Sequence, residues 1–325
     1  MLDETNSANE ASEAEDGPLR LSRRGALECM VWAGTGILWT LSGGVPKSLG
    51  LIGDALAAEA SAFTFLQISD SHIGFNKPAN PDALGTLREA IGKVKELVVK
   101  TRPAFMIHTG DITHLSKPDE FDNADQIIGE AKLKVHYVPG EHDVIDEGLG
   151  KAYLARYGKG TMGAGWYSFD DHGVHFIGLV NVVDLKAGGL GRLGADQLAW
   201  LADDLKDKSS STPIVVFAHI PLWTVYAQWG WGTDDGLQAL NLLKRFGSVT
   251  VLNGHIHQIV QKVEGNMTFH TARSTCFPQP APGTAPAPGP MTVPADQLRS
   301  MLGIASVEVR IGDKPLAITD TTLAG

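Results

Sequence analysis

The chain has 325 residues, 43% of them hydrophobic, and a formal net charge of −10. That length and apolar content allow one large α/β domain with a full core. The first 60 residues hold 9 Asp/Glu against 4 Lys/Arg, and the −5 left on the body argues against duplex DNA as partner, which needs many Lys and Arg contacts to phosphate.

The chain opens on an acidic tail followed by LSRRGALECMVWAGTGILWTLSGG, where Arg23 and Arg24 precede a modest apolar run from Met30 to Leu41. About twelve apolar residues are too few to span a bilayer of about 30 Å comfortably, and DALAAEASA at 54–62 offers small-residue cleavage sites. Through Ser22, Arg23, Arg24 and Leu27 the segment resembles a twin-arginine export signal, with Ala26 where that pattern has an aromatic residue and Glu28 just before the apolar stretch. The resemblance implies a tail and signal peptide over 1–60, cleavage near 57–60, passage through the twin-arginine export machinery, a periplasmic location and no stable membrane association afterwards. The plainer readings are an uncleaved anchor or a disordered acidic tail. Cys29 lies in this leader and Cys276 is alone in the body, so no intramolecular disulfide is expected in the mature chain.

The body, 61–325, alternates short strand-like runs with helical spacing. FTFLQIS at 63–69 precedes the helical pattern DALGTLREAIGKVKELVVK, and AFMIH and KVHYV follow as strands. HFIGLV is next, then the helical GADQLAWLADDLK, then PIVVFA and VTVLN. Such alternation implies parallel strands joined by right-handed crossovers, with helices over the sheet. Beyond residue 257, HQIVQKVEG, MTFHTA, ASVEVRI and LAITDT lack long helices between them, so an antiparallel portion is expected to complete a second sheet. FPQPAPGTAPAPGPMTVP, at 277–294, is too poor in apolar residues to pack as a core and reads as an extended, passive loop.

Five of the strand-like runs end in metal-binding residue types: SDSH with Asp70 and His72, TGD with Asp111, PGEHD with Glu141, His142 and Asp143, AH with His219, and GHIH with His255 and His257. The carboxyl ends of parallel strands open into one crevice, where ligands bind in open α/β sheets. Residues two apart in an extended segment face the same way, so Asp70 pairs with His72 and His255 with His257. The glycines before Asp111, Glu141 and His255 let backbone come close to a shared centre. Each fragment alone is common, and a single strand-end histidine is more often a hydrogen-bonded core residue than a ligand. The ordered set of five carries the reading. His108, His114, His136, His172, His175 and His270 fall outside it and read as surface or core residues, with His114, three after Asp111, the foremost exception. Trp223, Tyr226, Trp229 and Trp231 after His219 read first as packing for a long loop, and second as a rim that stacks on a base or aryl group.

In order, these blocks resemble the calcineurin-like metallophosphoesterases, whose pattern is D-x-H, G-D, G-N-H-D, H and G-H-x-H. GRLGADQLAWL and GHIHQ resemble the branch of cyclic-nucleotide phosphodiesterases. Four blocks match unchanged; the third has Glu141 where the family has asparagine. The resemblance implies a four-layer α/β/β/α sandwich of two mixed sheets and two divalent or mixed-valence ions, Mn, Fe or Zn. Asp70, His72, Asp111 and His257 would hold the first; Asp111, Glu141, His219 and His255 would hold the second. Two such ions would share and acidify a hydroxide for in-line displacement, His142 would protonate the leaving oxygen, and Asp143 would orient the His142 ring. The expected activity is hydrolysis of small phosphate esters, diesters before monoesters. The rival readings are a monoesterase on small metabolites and a metal-binding periplasmic module without turnover.

Overall fold

The computed structural model describes residues 62–310 and 316–325, with the backbone of an antiparallel hairpin, Ile37–Ser42 with Val45–Gly50. Apart from that hairpin, the expected leader over 1–60, its Arg23-Arg24 pair and its cleavage region lie outside the described residues. Among the described residues, no helix is long and apolar enough to cross a membrane.

The first sheet is built on β1 (Phe63–Ile68), β2 (Met106–His108) and β3 (Val135–Tyr137), which run parallel. The second holds β4 (Tyr167–Asp171), β5 (Val174–Gly178), β6 (Ile214–Phe217), β7 (Val249–Asn253), β8 (Gln261–Glu264) and β9 (Met267–Thr271). Its order is β8-β9-β7-β6-β5-β4, with the four central strands parallel and both edges antiparallel. β10 (Gly303–Val309) and β11 (Ala317–Thr322) return to the first sheet, giving β11-β10-β1-β2-β3. The antiparallel tail expected for a second sheet is therefore divided between both. After Met267–Thr271, which pairs parallel with β7, the chain crosses to the free edge of β1.

The alternation of side chains along each strand produces the layers. Phe63 and Phe65 of β1 meet Phe176 of β5 and Val215 and Phe217 of β6 between the sheets. Leu66 and Ile68, on the opposite face of β1, pack under α1 (Ala83–Thr101) and α2 (Pro118–Gly129). Ile214 and Val216 likewise pack under α4 (Ala195–Lys206) and α5 (Gly236–Leu243). The result is a four-layer α/β/β/α sandwich, as expected. α1 follows from its sequence: Asp82 caps Gly85 N at 2.8 Å, and Leu87, Ala90, Ile91 and Val94 recur at helical spacing on the buried face. The short α3 (Lys151–Tyr157), α6 (Ala295–Met301) and the strand β4 carry no such strong pattern and are additions to the expected elements.

Candidate metal centre

The loops leaving β1, β2, β3, β6 and β7 gather at one end of the two sheets, and every strand-end residue named from the sequence lies there. Asp70, His72, Asp111, His255 and His257 all hold positive φ, between 40° and 69°. Non-glycine residues rarely adopt this region, and such strain clusters at functional sites, where the fold over-determines it. The neighbouring glycines are needed for space: a Cβ on Gly140 would collide with the Asp111 carboxylate, and one on Gly110 would lie 2.6 Å from Gly140 N and His219 Nδ1. On Gly254 it would collide with Ser69 and lie 2.6 Å from Asp70 Oδ2.

Two groups of side chains meet at Asp111. In the first, His257 Nε2 lies 3.2 Å from Asp70 Oδ1 and 3.2 Å from His72 Nε2. In the second, Glu141 places Oε2 at 2.9 Å from His219 Nε2 and Oε1 at 2.9 Å from His255 Nδ1. Asp111 Oδ2 stands between them, 3.4 Å from both His72 Nε2 and His219 Nε2. Main-chain carbonyls fix two of the rings: His219 Nδ1–H donates to Thr109 O at 2.7 Å and His257 Nδ1–H to Phe277 O at 2.6 Å, so each turns Nε2 inward.

The donor set fits metal ions. Asp70, Asp111 and Glu141 bring three carboxylates together, and among the described residues none touches a Lys or Arg. Buried carboxylates need positive charge beside them, and among the described residues only imidazole rings lie close to these. Burial would raise the Asp70 and Glu141 carboxyls, but the surrounding imidazoles outweigh it; Asp70 is held at about 2 and Glu141 well below the ordinary range. Burial would depress His219, yet Asp111 and Glu141 raise it well above its usual value. Glu141 Oε2, His219 Nε2 and His255 Nδ1 are also buried without an aligned hydrogen-bond partner. Carboxylate oxygens and ring nitrogens that converge, several of them without an aligned hydrogen bond, suit a shared cation of the Mn, Fe or Zn type.

His142 sits at the edge of this cluster, with a ring nitrogen within 4.8 Å of carboxylate oxygens of Asp111 and Glu141. Its Nδ1–H donates to His114 O at 2.7 Å and its backbone N–H to Asp111 Oδ1 at 2.9 Å, which leaves Nε2 without a hydrogen-bond partner among the described residues. Asp143 does not orient that ring, contrary to the expectation from adjacency. Its carboxylate is turned away and accepts from the backbone N–H groups of Ile112, Thr113 and Gly140 and from Thr113 Oγ1, at 2.8–3.0 Å. It ties the Asp111 loop to the Glu141 loop.

Of the histidines set aside, His114 is the exception: it stacks on His142 with ring centroids 4.9 Å apart and lies against His72. His108 is a core residue, bonded to Ser71 and Gly110, and burial holds it down to about 3. His175 lies between Asp170 and Asp204, His270 faces Asp320, His136 stacks on Phe169, and His172 stacks on Phe63 at the surface. Trp229 and Trp231 are buried in a small cluster with Ile256, and Trp223 packs on Phe269, so the aromatic loop packs against the fold.

The start of the proline-rich segment is not passive. Phe277 covers His72 and His257, Gln279 donates to His255 O, and Gln258 donates to the carbonyls of Gln279 and Pro280. Ser116 Oγ, likewise unforeseen, donates to His142 O at 2.7 Å. The Phe277, Thr109 and His114 contacts are made by main-chain carbonyls, which leave no mark on side-chain pattern.

The family described as calcineurin-like phosphoesterase matches residues 63–259. The glycerophosphodiester phosphodiesterase GpdQ of Enterobacter lignolyticus is 26% identical over 188 residues, 56% of this chain and 66% of that protein, so the chain spans just under two thirds of that relative. A Synechococcus protein named a probable cyclic nucleotide phosphodiesterase is 26% identical over 230 residues, 69% of this chain and 86% of that one. Among solved structures, a dimetal phosphatase from Danio rerio superposes with a TM-score of 0.60 at 13% identity, over 80% of this chain and 96% of that one, a likeness of fold.

Proposed function

The chain belongs to the calcineurin-like phosphoesterase family, and we propose that it is a metal-dependent phosphoric ester hydrolase that cleaves small phosphodiesters at a dinuclear centre. The observation that carries this reading is the pair of ligand groups joined at Asp111 Oδ2, 3.4 Å from a histidine of each. Asp70, His72, Asp111 and His257 would hold one ion; Asp111, Glu141, His219 and His255 would hold the other. When bound, such ions activate water and neutralise charge on the phosphoryl group.

The chain's own residues supply the proton. With Nδ1–H fixed by the His114 carbonyl, His142 offers Nε2 to the departing oxygen. As water's oxygen bonds to phosphorus and the ester P–O bond breaks, a proton passes from His142 Nε2 to the leaving oxygen. The products are an alcohol and a phosphate with one ester link fewer; a proton from the water is released to solvent, and His142 regains one from solvent before the next turnover. Glu141 adds a third carboxylate to the centre, which disfavours a dianionic monoester relative to a monoanionic diester. Two relatives named as phosphodiesterases support the same preference.

The test compares bis(p-nitrophenyl) phosphate with p-nitrophenyl phosphate on metal-loaded protein of known metal content, beside Asp111→Asn. Faster turnover of the diester, lost in the variant, is expected. Monoester preference would overturn the substrate assignment, and metal binding without turnover of any ester would return the chain to a binding module. Export is a separate part of the proposal, resting on Arg23 and Arg24: changing both to lysine is expected to retain a reporter fusion in the cytoplasm, and unchanged export would remove it.

A further inference from the structure

Beside His142 the surface opens into a cleft of about 590 Å³, within the size range of small-molecule sites. Its lining is almost wholly aliphatic. Val144 and Val182 are buried members, while Leu115, Ile145, Leu149 and Leu185 are between 41% and 65% exposed. Among the described residues, Glu141 and His142 are its only charged or titratable members, and no Phe, Tyr, Trp, Lys or Arg lines it.

Singly exposed apolar residues are ordinary on a protein surface; their convergence is not. Of the eight large hydrophobic side chains most exposed among the described residues, four line this one cleft. Val144 and Val182 also belong to a buried cluster with Val180 and Ile220, so firm packing backs the wall. The cleft is continuous with the metal centre, because Glu141 and His142 line both.

We propose that this cleft receives the alcohol portion of the substrate ester, and that this portion is apolar: an alkyl chain or a ring without hydroxyl groups. The inference deepens the hydrolase reading and rests on it. A glycerol, sugar or ribose group placed here would turn hydroxyls toward aliphatic side chains and lose their hydrogen bonds to water. A quaternary ammonium group would find no Phe, Tyr or Trp face to rest on. An alkyl chain buries apolar surface against Leu115, Ile145, Leu149 and Leu185 while its ester oxygen remains beside His142.

The experiment uses metal-loaded protein and methyl alkyl phosphates whose alkyl group runs from methyl to octyl, with methyl glyceryl phosphate as the polar member. Each methylene that enters the cleft is expected to raise kcat/KM by up to about fourfold, and the glyceryl ester is expected to fall below the butyl ester. Ile145→Ser with Leu185→Ser should flatten this dependence, whereas Val99→Ser, 82% exposed on α1, should leave it intact. Turnover with no dependence on chain length, or a preference for the glyceryl ester, would overturn the subsite. A preference seen only with esters held in phosphatidylcholine vesicles would assign the apolar wall to surface docking and also overturn it. If no ester turns over, the hydrolase reading fails separately, and calorimetry decides the cleft: octyl phosphate binding more tightly than methyl phosphate supports the subsite, and equal affinity refutes it.

Discussion

The two ligand groups differ in depth. Asp70, His72 and His257 have side chains no more than 3% exposed, whereas Glu141 and His255 are 24% and 12% exposed. The deep group hangs from β1 and β7 near the inter-sheet core and is capped by Phe277. The other group starts from His219, which is fully buried, and reaches the mouth through Glu141 and His255, where Glu141 and His142 look into the aliphatic cleft. The deep residues are thus held by the fold, and the exposed ones are where the proposed substrate would meet the centre. An ion in the mouth is expected to yield first to a chelator.

Asp111→Asn breaks the comparison most completely, because its carboxylate belongs to both groups. If the two proposed ions share its charge, losing several kcal/mol of that stabilisation should cost roughly 10⁴-fold or more in kcat. Metal analysis should show both ions weakened. If one ion alone is lost and turnover survives, Asp111 is not shared.

His142→Ala comes next, with a loss of about 10² to 10⁴-fold expected for an alkyl leaving group, the range of general acid catalysis. The loss should be much smaller for p-nitrophenolate, which needs little protonation, and metal content should not change. Equal losses on both leaving groups would remove the proton-donor role.

Glu141→Asn affects the mouth alone. A unit charge about 4 Å from a phosphate is worth at most about 4 kcal/mol at an effective dielectric near 20. With solvent screening at a residue this exposed, the monoester-to-diester ratio should rise on the order of tenfold. Glu141 faces His219 and His255 and no Lys or Arg among the described residues, so an unchanged ratio and unchanged metal content could not be blamed on a carboxylate turned away.

What could be read in the sequence follows the same division. Asp70, His72, Asp111, His219, His255 and His257 were legible because strand-to-loop junctions at the carboxyl ends of parallel strands deliver side chains to one place, and each block shows its residue type openly. The layers were legible from alternation in runs such as FTFLQIS. The apolar wall was not: Leu115, Ile145, Leu149 and Leu185 are scattered over three loops, and an exposed leucine in a loop has no signature. The main-chain carbonyls that set the ring orientations were equally invisible. Asp143 was misread for a related reason, since adjacency to His142 says nothing about direction in a tight 3-10 turn, where successive side chains diverge.

That turn supplies the smallest and most discriminating test. Asp143 Oδ1 accepts from Thr113 N and Oγ1, and Oδ2 accepts from Ile112 N and Gly140 N. In Asp143→Asn the new side chain is isosteric, but its NH₂ group can accept from none of the backbone N–H groups, so at least one of them loses its partner whichever way the amide turns. A buried N–H left unpaired costs about 1–3 kcal/mol, so the substitution should lower Tm by several degrees and loosen the link between the Asp111 and Glu141 loops. The ratio of alkyl to p-nitrophenyl turnover should stay at its native value, because the His142 ring is held by the His114 carbonyl. A collapse of that ratio to the level of His142→Ala, with stability intact, would show that Asp143 governs the His142 ring after all, and the link between the mouth and the loops beneath it would need to be redrawn.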